Sequence, residues 1–368
     1  MPQTLASSSP ARSEPVADKV GRATRVMLVD DSLTTRTIFA RIVAAEADMV
    51  LSAQATTAES ALAQLEEARP DVILLDLEMP GMGGMRALPH LLERMPHARV
   101  LVVSSLTDAG ARHTVQALSA GAADTLLKPL PGSFDQAYRA SLVQKIRALG
   151  QRERQVRTSP AGTAAASPGR QVPAGKRARL VAIGASTGGV HAINTLLRAL
   201  PASFTVPIII TQHLPGSFVP VFAQQLQTVS GRVTRVAGDG TSLAAGTVTV
   251  APGDAHLIVE AQAKELLTRL GREAAPAGCW PAVDPMIASM AEACEGAATA
   301  LILSGMGRDG LVGATALHRA GGTVLTQDAH SCAVWGMPRA VAAAGIAAGS
   351  MPPEQMARWL VAHAGATA

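Results

Sequence analysis

An apolar run, a glycine-rich turn and a helical period follow one another without a break in LVAIGASTGGV, positions 180–190. Val190, Ile193, Leu196, Leu197 and Leu200 then recur at helical spacing, so one face of the helix is apolar and has to pack on a sheet. Strand, tight turn and helix make the repeating unit of a parallel α/β fold, and this unit puts Ser186 at the carboxyl edge of the sheet. Unpaired backbone N–H groups and the positive end of the helix dipole converge there, which favours an oxyanion or a phosphate. The pentapeptide GASTG at 184–188 fits a G-x-S-x-G nucleophile elbow, a phosphate-cradling loop and a plain βα turn alike. The rest of the chain has to discriminate among them.

With 368 residues the chain has room for two domains, each with its own core. Hydrophobic residues at 48% and charged ones at 16% describe a globular protein, and with only 2% aromatics the cores must be filled by Ala, Val, Leu and Ile. No apolar run approaches the ~18 residues of a membrane span, and the N-terminus is Ser/Pro/Ala-rich without an apolar signal core, so a cytoplasmic protein with no membrane insertion is expected. Cys279, Cys294 and Cys332 have no metal-ligand spacing and are expected to be buried, reduced thiols. Much of the formal charge of +4 sits in one segment: between Ala148 and Ala178 lie Arg152, Arg154, Arg157, Arg170, Lys176 and Arg177 against Glu153. Neither flank offers a recognition helix, so this reads as a basic linker and no nucleic-acid partner is expected.

From Arg25 to Leu149 five short apolar runs alternate with five helical patterns: strands Arg25–Val29, Met49–Ala53, Val72–Asp76, Val100–Val103 and Ala123–Leu127, with helices from about Leu33 and over Thr57–Ala68, Gly83–Arg94, Ala109–Leu118 and Phe134–Leu149. The alternation predicts a doubly wound parallel sheet, whose functional groups gather at the carboxyl ends of the strands. Asp30 and Asp31, Asp76, Ser104 and Lys128 fall at those ends. Carboxylates brought together repel one another, and a hard cation such as Mg²⁺ relieves the conflict through oxygen ligands. Asp76 could then act as a nucleophile toward a phosphoryl group, with Lys128 as a point charge and Ser104 as a hydroxyl donor.

VDDS at 29–32, LLDLEMPGMGG at 74–84, VSS at 103–105 and KP at 128–129 resemble the receiver domain of two-component response regulators. The resemblance implies a (βα)5 receiver over 24–149, Asp76 as phospho-acceptor, Mg²⁺ on Asp31, Asp76 and the backbone carbonyl of Glu78 with Asp30 nearby, and a histidine kinase as phosphodonor. Thr125 stands three positions before the lysine, where receivers commonly carry an aromatic residue. Residues 1–23 read as a flexible leader, and 150–178, rich in breakers and without hydrophobic period, as a flexible linker.

Over 179–368 apolar runs recur at Leu180–Ile183, Ile208–Thr211, Thr299–Leu303 and Thr323–Thr326, again separated by helical patterns. Val233–Val236, Thr247–Ala251 and His256–Glu260 read as strands of a hairpin insertion. Ser186 needs a base, and His213 directly follows an apolar strand, whereas His191 and His256 lie inside a helix and a strand, and His318 and His330 in helical or loop surroundings. Asp309, in SGMGRDG at 304–310, reaches the same sheet edge and could fix the tautomer of His213, though alone it suits a helix cap. The glycines at 305, 307 and 310 could expose N–H groups near Met306 for an oxyanion hole. The order Ser186, His213, Asp309 disfavours the α/β-hydrolase fold, where the acid precedes the histidine.

GASTGG at 184–189, QHLP at 212–215, APG at 251–253 with His256, Val283-Asp284 and SGMGRDG at 304–310 resemble the CheB family of chemotaxis protein-glutamate methylesterases. The resemblance implies an α/β parallel-sheet esterase domain with Ser186 as nucleophile, His213 as base and Asp309 as orienting acid. Thr187 and Met306 are taken as oxyanion or substrate contacts. The implied activity is phosphorylation-activated hydrolysis of glutamate γ-methyl esters on chemoreceptors, with glutamine deamidation besides, no cofactor for the ester step, and a monomeric chain. Two alternatives are a non-enzymatic regulator whose output domain binds DNA and one whose 184–189 loop binds a nucleotide.

Overall fold

The computed structural model describes residues 22–105, 107–128, 134–150, 176–263 and 265–363. The expected leader and linker therefore fall almost wholly outside the described residues. Five parallel strands open the described chain: β1 (Thr24–Val29), β2 (Met49–Ala55), β3 (Val72–Asp76), β4 (Arg99–Ser104) and β5 (Asp124–Leu127), in the spatial order β2-β1-β3-β4-β5. Helices α1 (Leu33–Ala44), α2 (Ala58–Ala68), α3 (Gly83–Arg94), α4 (Asp108–Ser119) and α5 (Gln136–Gly150) alternate with them. The strands are continuous apolar runs because both faces are covered, and every residue of β3 is buried. Three helices start where a hydroxyl accepts an orphan N–H: Ser32 from Thr35, Thr57 from Ser60 and Thr107 from Gly110. Strand order reverses between β1 and β3, the place where such sheets form a crevice, and Asp30, Asp31 and Asp76 stand there.

The second sheet has seven parallel strands: β6 (Leu180–Ala185), β7 (Ile208–Gln212), β8 (Thr234–Val236), β9 (Val248–Val250), β12 (Ala298–Ile302), β13 (Thr323–Gln327) and β14 (Gly349–Met351). Their order is β14-β13-β12-β6-β7-β9-β8. Helices α6 (Gly189–Ala199), α7 (Val219–Ser230), α8 (Val283–Ala293), α9 (Leu311–Arg319), α10 (Met337–Ala343) and α11 (Pro353–His363) cover it. A separate antiparallel hairpin joins β10 (His256–Gln262) to β11 (Glu265–Gly271).

The hairpin corrects one expectation. Val233–Val236 and Thr247–Ala251 do not belong to it: they run parallel to β7 as the edge of the main sheet, and the partner of β10 is Glu265–Gly271. Short edge strands carry only three residues each, too few for their periodicity to reveal which sheet they join.

Candidate active site

Two strands flank the end of β6, and each delivers one member of the expected trio. Ala185 is level with Gln212 on β7, and His213 N–H donates to the Ala185 carbonyl at 3.1 Å. On the other side Ser186 N–H donates to the Ser304 carbonyl at 3.0 Å, just past β12. Ser186 thus sits between the residue after β7 and the loop that leads to Asp309. Gly188 starts α6 with φ +79°, a conformation that only glycine takes at little cost, and a Cβ on Gly305 would lie 2.9 Å from that of Ser186.

His213 Nε2 lies 2.9 Å from Asp309 Oδ2. Asp309 is 4% exposed, and its carboxylate also accepts from Val283 N–H at 2.7 Å, Asp284 N–H at 3.0 Å and Gly310 N–H at 2.9 Å. Burial alone would raise its pKa, but the bond to His213 and these N–H donors outweigh burial and hold the carboxyl below the usual carboxylate range. Asp309 is therefore an anion, and it caps the first turn of α8 rather than of the α9 it precedes. Asp284 returns the exchange by accepting from Gly313 N–H at 2.8 Å in α9. Burial, with the Asp309 charge adding to it, pushes Asp284 up to about 6 despite its backbone donors.

With Nε2 turned to Asp309, the other ring nitrogen of His213 is the one left for Ser186. Among the described residues no hydrogen bond joins the Ser186 hydroxyl to His213, and such bonds are often long in sites without substrate. His256 is excluded as a base: Nε2 lies 2.9 Å from the Glu273 carbonyl and Nδ1 accepts from Ala282 N–H at 2.9 Å, so both nitrogens hold the hairpin against the loop before α8. His191 and His318 lie in α6 and α9, and His330 in the loop after β13.

The glycine-rich 304–310 turn donates fewer free N–H groups than expected. Gly305 N–H goes to the Val334 carbonyl and Gly310 N–H to Asp309, while among the described residues the N–H groups of Thr187 and Met306 have no hydrogen-bond partner.

At the receiver sheet edge Asp30, Asp31 and Asp76 bring carboxylate oxygens within 4.8 Å of one another. Lys128 Nζ donates to Asp76 Oδ2 at 2.5 Å, and Glu78 N–H to Asp76 Oδ1 at 3.0 Å. Burial first, and the charge of Asp76 second, push Asp30 up to about 6, and burial also raises Asp76. Asp30 Oδ2 is buried without a hydrogen-bond partner among the described residues, its only charge partner there being Lys128 Nζ at 3.9 Å. Three carboxylates against one lysine, and a buried oxygen without a hydrogen bond, fit a divalent cation with oxygen ligands. Ser104 Oγ lies 3.4 Å from Thr125 Oγ1, both buried.

The receiver reaches the Ser186 turn directly. Gly188 N–H donates to the Ala123 carbonyl at 2.6 Å, and Thr187 Oγ1 donates to Asp124 Oδ2 at 2.6 Å, an oxygen that also takes Lys145 Nζ at 2.6 Å. Ser119, at the end of α4, meets Asn194 of α6 at 2.9 Å and Gln225 of α7. Val334 joins the apolar cluster on the α1 and α5 side of the receiver sheet, with Met306 and Ala333 at its margin.

Two residues at the site escaped the sequence reading. Asp124 has no motif around it, and only the fold brings it to Thr187. Cys279 was expected to be buried like Cys294 and Cys332, yet it is half-exposed and its sulfur lies 3.4 Å from both His213 Nε2 and Asp309 Oδ2. Its neighbours are 66 and 30 residues away in sequence, so no spacing could have disclosed it.

Residues 181–360 match the model of the CheB methylesterase family, and residues 26–136 that of the response regulator receiver domain. The "Protein-glutamate methylesterase/protein-glutamine glutaminase 1" of Paramagnetospirillum magneticum is 40% identical over 92% of this chain and 95% of its own. A relative of the same description, numbered 2, from Caulobacter vibrioides is 38% identical over 92% of this chain and 99% of its own. The solved Thermotoga maritima CheB methylesterase catalytic domain is 34% identical over 50% of this chain and 98% of its own, with a TM-score of 0.49. A receiver fused to a methylesterase domain is the class that the two family models and the curated relatives define. The chain belongs to the family of receiver-coupled CheB methylesterases described as protein-glutamate methylesterase/protein-glutamine glutaminase. That membership overturns the alternative of a non-enzymatic output domain for DNA or nucleotide. No helix among the described residues is long and apolar enough to cross a membrane.

Proposed function

We propose that the chain hydrolyses glutamate γ-methyl esters on the helices of chemoreceptors, releasing methanol, and that phosphorylation of Asp76 by a chemotaxis histidine kinase raises this activity. The observation that carries the proposal is the His213–Asp309 pair held at 2.9 Å one strand away from Ser186 at the sheet edge. Asp309 holds the proton of His213 on Nε2, which leaves Nδ1 to take the Ser186 proton as Oγ attacks the ester carbonyl. Thr187 and Met306 offer N–H groups for the oxyanion. Methanol leaves, protonated by His213, and water then cleaves the glutamyl-serine ester. A side-chain amide reacts the same way with ammonia leaving, which extends the proposal to glutamine deamidation. The residues that carry these steps are a serine, a histidine and a carboxylate, so the ester step is assigned no cofactor.

In the receiver, Asp31, Asp76 and the Glu78 carbonyl, with Asp30 alongside, would hold Mg²⁺, which supplies positive charge against the incoming phosphoryl oxygens. Asp76 is the acceptor, Lys128 its ion partner, and Ser104 the hydroxyl that turns to the phosphoryl group. Methylated receptor incubated with wild type and with Ser186→Ala tests the activity: methanol release by the wild type and almost none by the variant is expected, and equal release by both would sink the proposal.

A further inference from the structure

Asp309 Oδ2, His213 Nε2 and Cys279 Sγ stand 2.9, 3.4 and 3.4 Å apart, and all the ligating atoms of the trio lie within 4.8 Å of one another. They come from three separate elements: the turn after β12, the end of β7 and the loop before α8. A tetrahedral zinc ion, with bonds of about 2.3 Å to sulfur and about 2.0 Å to nitrogen and oxygen, needs ligand separations of about 3.3–3.6 Å. Widening the closest pair by a few tenths of an ångström is all the trio requires. His, Cys and carboxylate are a zinc donor set, in contrast to the all-carboxylate cluster of the receiver. The second shell is also in place: Val283 N–H holds Oδ2 and Asp284 N–H holds Oδ1, fixing the carboxylate as a ligand.

We propose that the catalytic cleft binds one Zn²⁺ through His213, Cys279 and Asp309, and that this ion reversibly switches the esterase off. Binding releases the thiol proton of Cys279, so that thiolate and carboxylate neutralise the ion. Nε2 gives up its proton to Nδ1 and donates its lone pair to zinc instead. A neutral imidazole ligated at Nε2 carries its proton on Nδ1 and can no longer receive the one from Ser186. The fourth coordination position is left to water. The inhibitory half of this proposal rests on the reading of His213 as the base; the binding half does not.

The full-length chain is titrated with Co²⁺ as a spectroscopic stand-in, with excess Mg²⁺ to saturate oxygen-only sites and a non-thiol reductant throughout. One equivalent is expected to bring a thiolate-to-metal charge-transfer band and tetrahedral ligand-field absorption, and Cys279→Ser and Cys279→Ala should both lose the band. Cys294 and Cys332 are buried, and these variants assign the sulfur. In parallel, one equivalent of Zn²⁺ should suppress ester hydrolysis by the wild type and a chelator should restore it. Each Cys279 variant, compared with its own metal-free rate, should need at least about tenfold more Zn²⁺ for the same suppression, as expected for a lost ligand. Absence of the band in the wild type, or its survival in both variants, overturns the binding site. Unchanged zinc sensitivity in both variants overturns the switch. A chain that shows the band but never hydrolyses ester would overturn the proposed activity and leave the site standing.

Discussion

Asp309 carries two duties that a single oxygen could not combine. Its Oδ2 faces His213 and Val283 N–H while Oδ1 takes Asp284 N–H and Gly310 N–H, so both oxygens act as acceptors. An amide in its place would set an N–H against another N–H, and Asp309→Asn is therefore a poor probe of tautomer alone. The cleaner probe is the pair Ser186 and His213. With both acting in one proton-coupled step, as proposed, Ser186→Ala and His213→Ala should each remove most turnover, by about 10⁴-fold or more, and the double variant should be hardly worse. Additive losses measured on methanol release would separate the two residues into different steps. These residues were legible in the sequence because each follows a short apolar run that ends at the sheet edge. Cys279 and Asp124 were not, because their roles come from contacts across long sequence separations: a 66-residue gap to His213 and a 63-residue gap to Thr187.

Helices α8 and α9 are tied by an exchange of caps, Asp309 onto α8 and Asp284 onto α9. Two carboxylates so close are compatible only because one is held as an anion and the other drifts up, to about 6 for Asp284. A carboxyl whose pKa is higher folded than unfolded binds more protons in the native state, so its contribution to stability falls as pH rises between its unfolded value near 3.8 and its folded value near 6. Asp284→Asn removes that titration. Its melting temperature should therefore gain steadily on the wild type as pH goes from 4 to 7. A difference between the two that is flat across that range would place the ionisation of Asp284 elsewhere. At this scale the sequence was legible wherever a strand was long and buried on both faces, as in β3 and β6. It was misleading for β8 and β9: three-residue strands and hairpin strands share the same β-branched, glycine-flanked composition, and only the pairing partner distinguishes them.

Taken as a whole, the molecule places the receiver's α4 and β5 end over the Ser186 turn. Ala123 and Asp124 take the Gly188 N–H and the Thr187 hydroxyl, the groups on either side of the Thr187 N–H proposed for the oxyanion. Thr125, next to Asp124, lies 3.4 Å from Ser104, and with Asp76 as the proposed acceptor we propose that this hydroxyl pair, where receivers commonly carry an aromatic ring, connects it to this contact. Charge-assisted hydrogen bonds are worth about 1.5–3 kcal/mol, and about 1.4 kcal/mol changes an open population tenfold. Asp124→Ala should accordingly raise the activity of the unphosphorylated chain roughly tenfold. A fragment starting near Lys176 should exceed the unphosphorylated chain, and Asp76→Asn should stay at low activity with or without a small phosphodonor. If fragment and full chain turn over receptor equally and a phosphodonor changes neither, the receiver is a docking module and not a cover.

The mixed character of that covering face carries a thermal consequence. Undocking would wet the hydrogen-bonding groups of Ser119, Asp124, Thr187 and Asn194 together with the apolar surface of Val334 and its neighbours Met306 and Ala333. Newly wetted apolar surface raises heat capacity by about 0.45 cal/K/mol per Å² and polar surface lowers it by about 0.26. The two contributions have opposite signs, so opening changes heat capacity by less than the apolar surface alone would. An enzyme covered in this way opens on warming along a van't Hoff line less bent than a purely apolar cover would give, with a slope set by the enthalpy of breaking these contacts, and phosphorylation shifts the whole line.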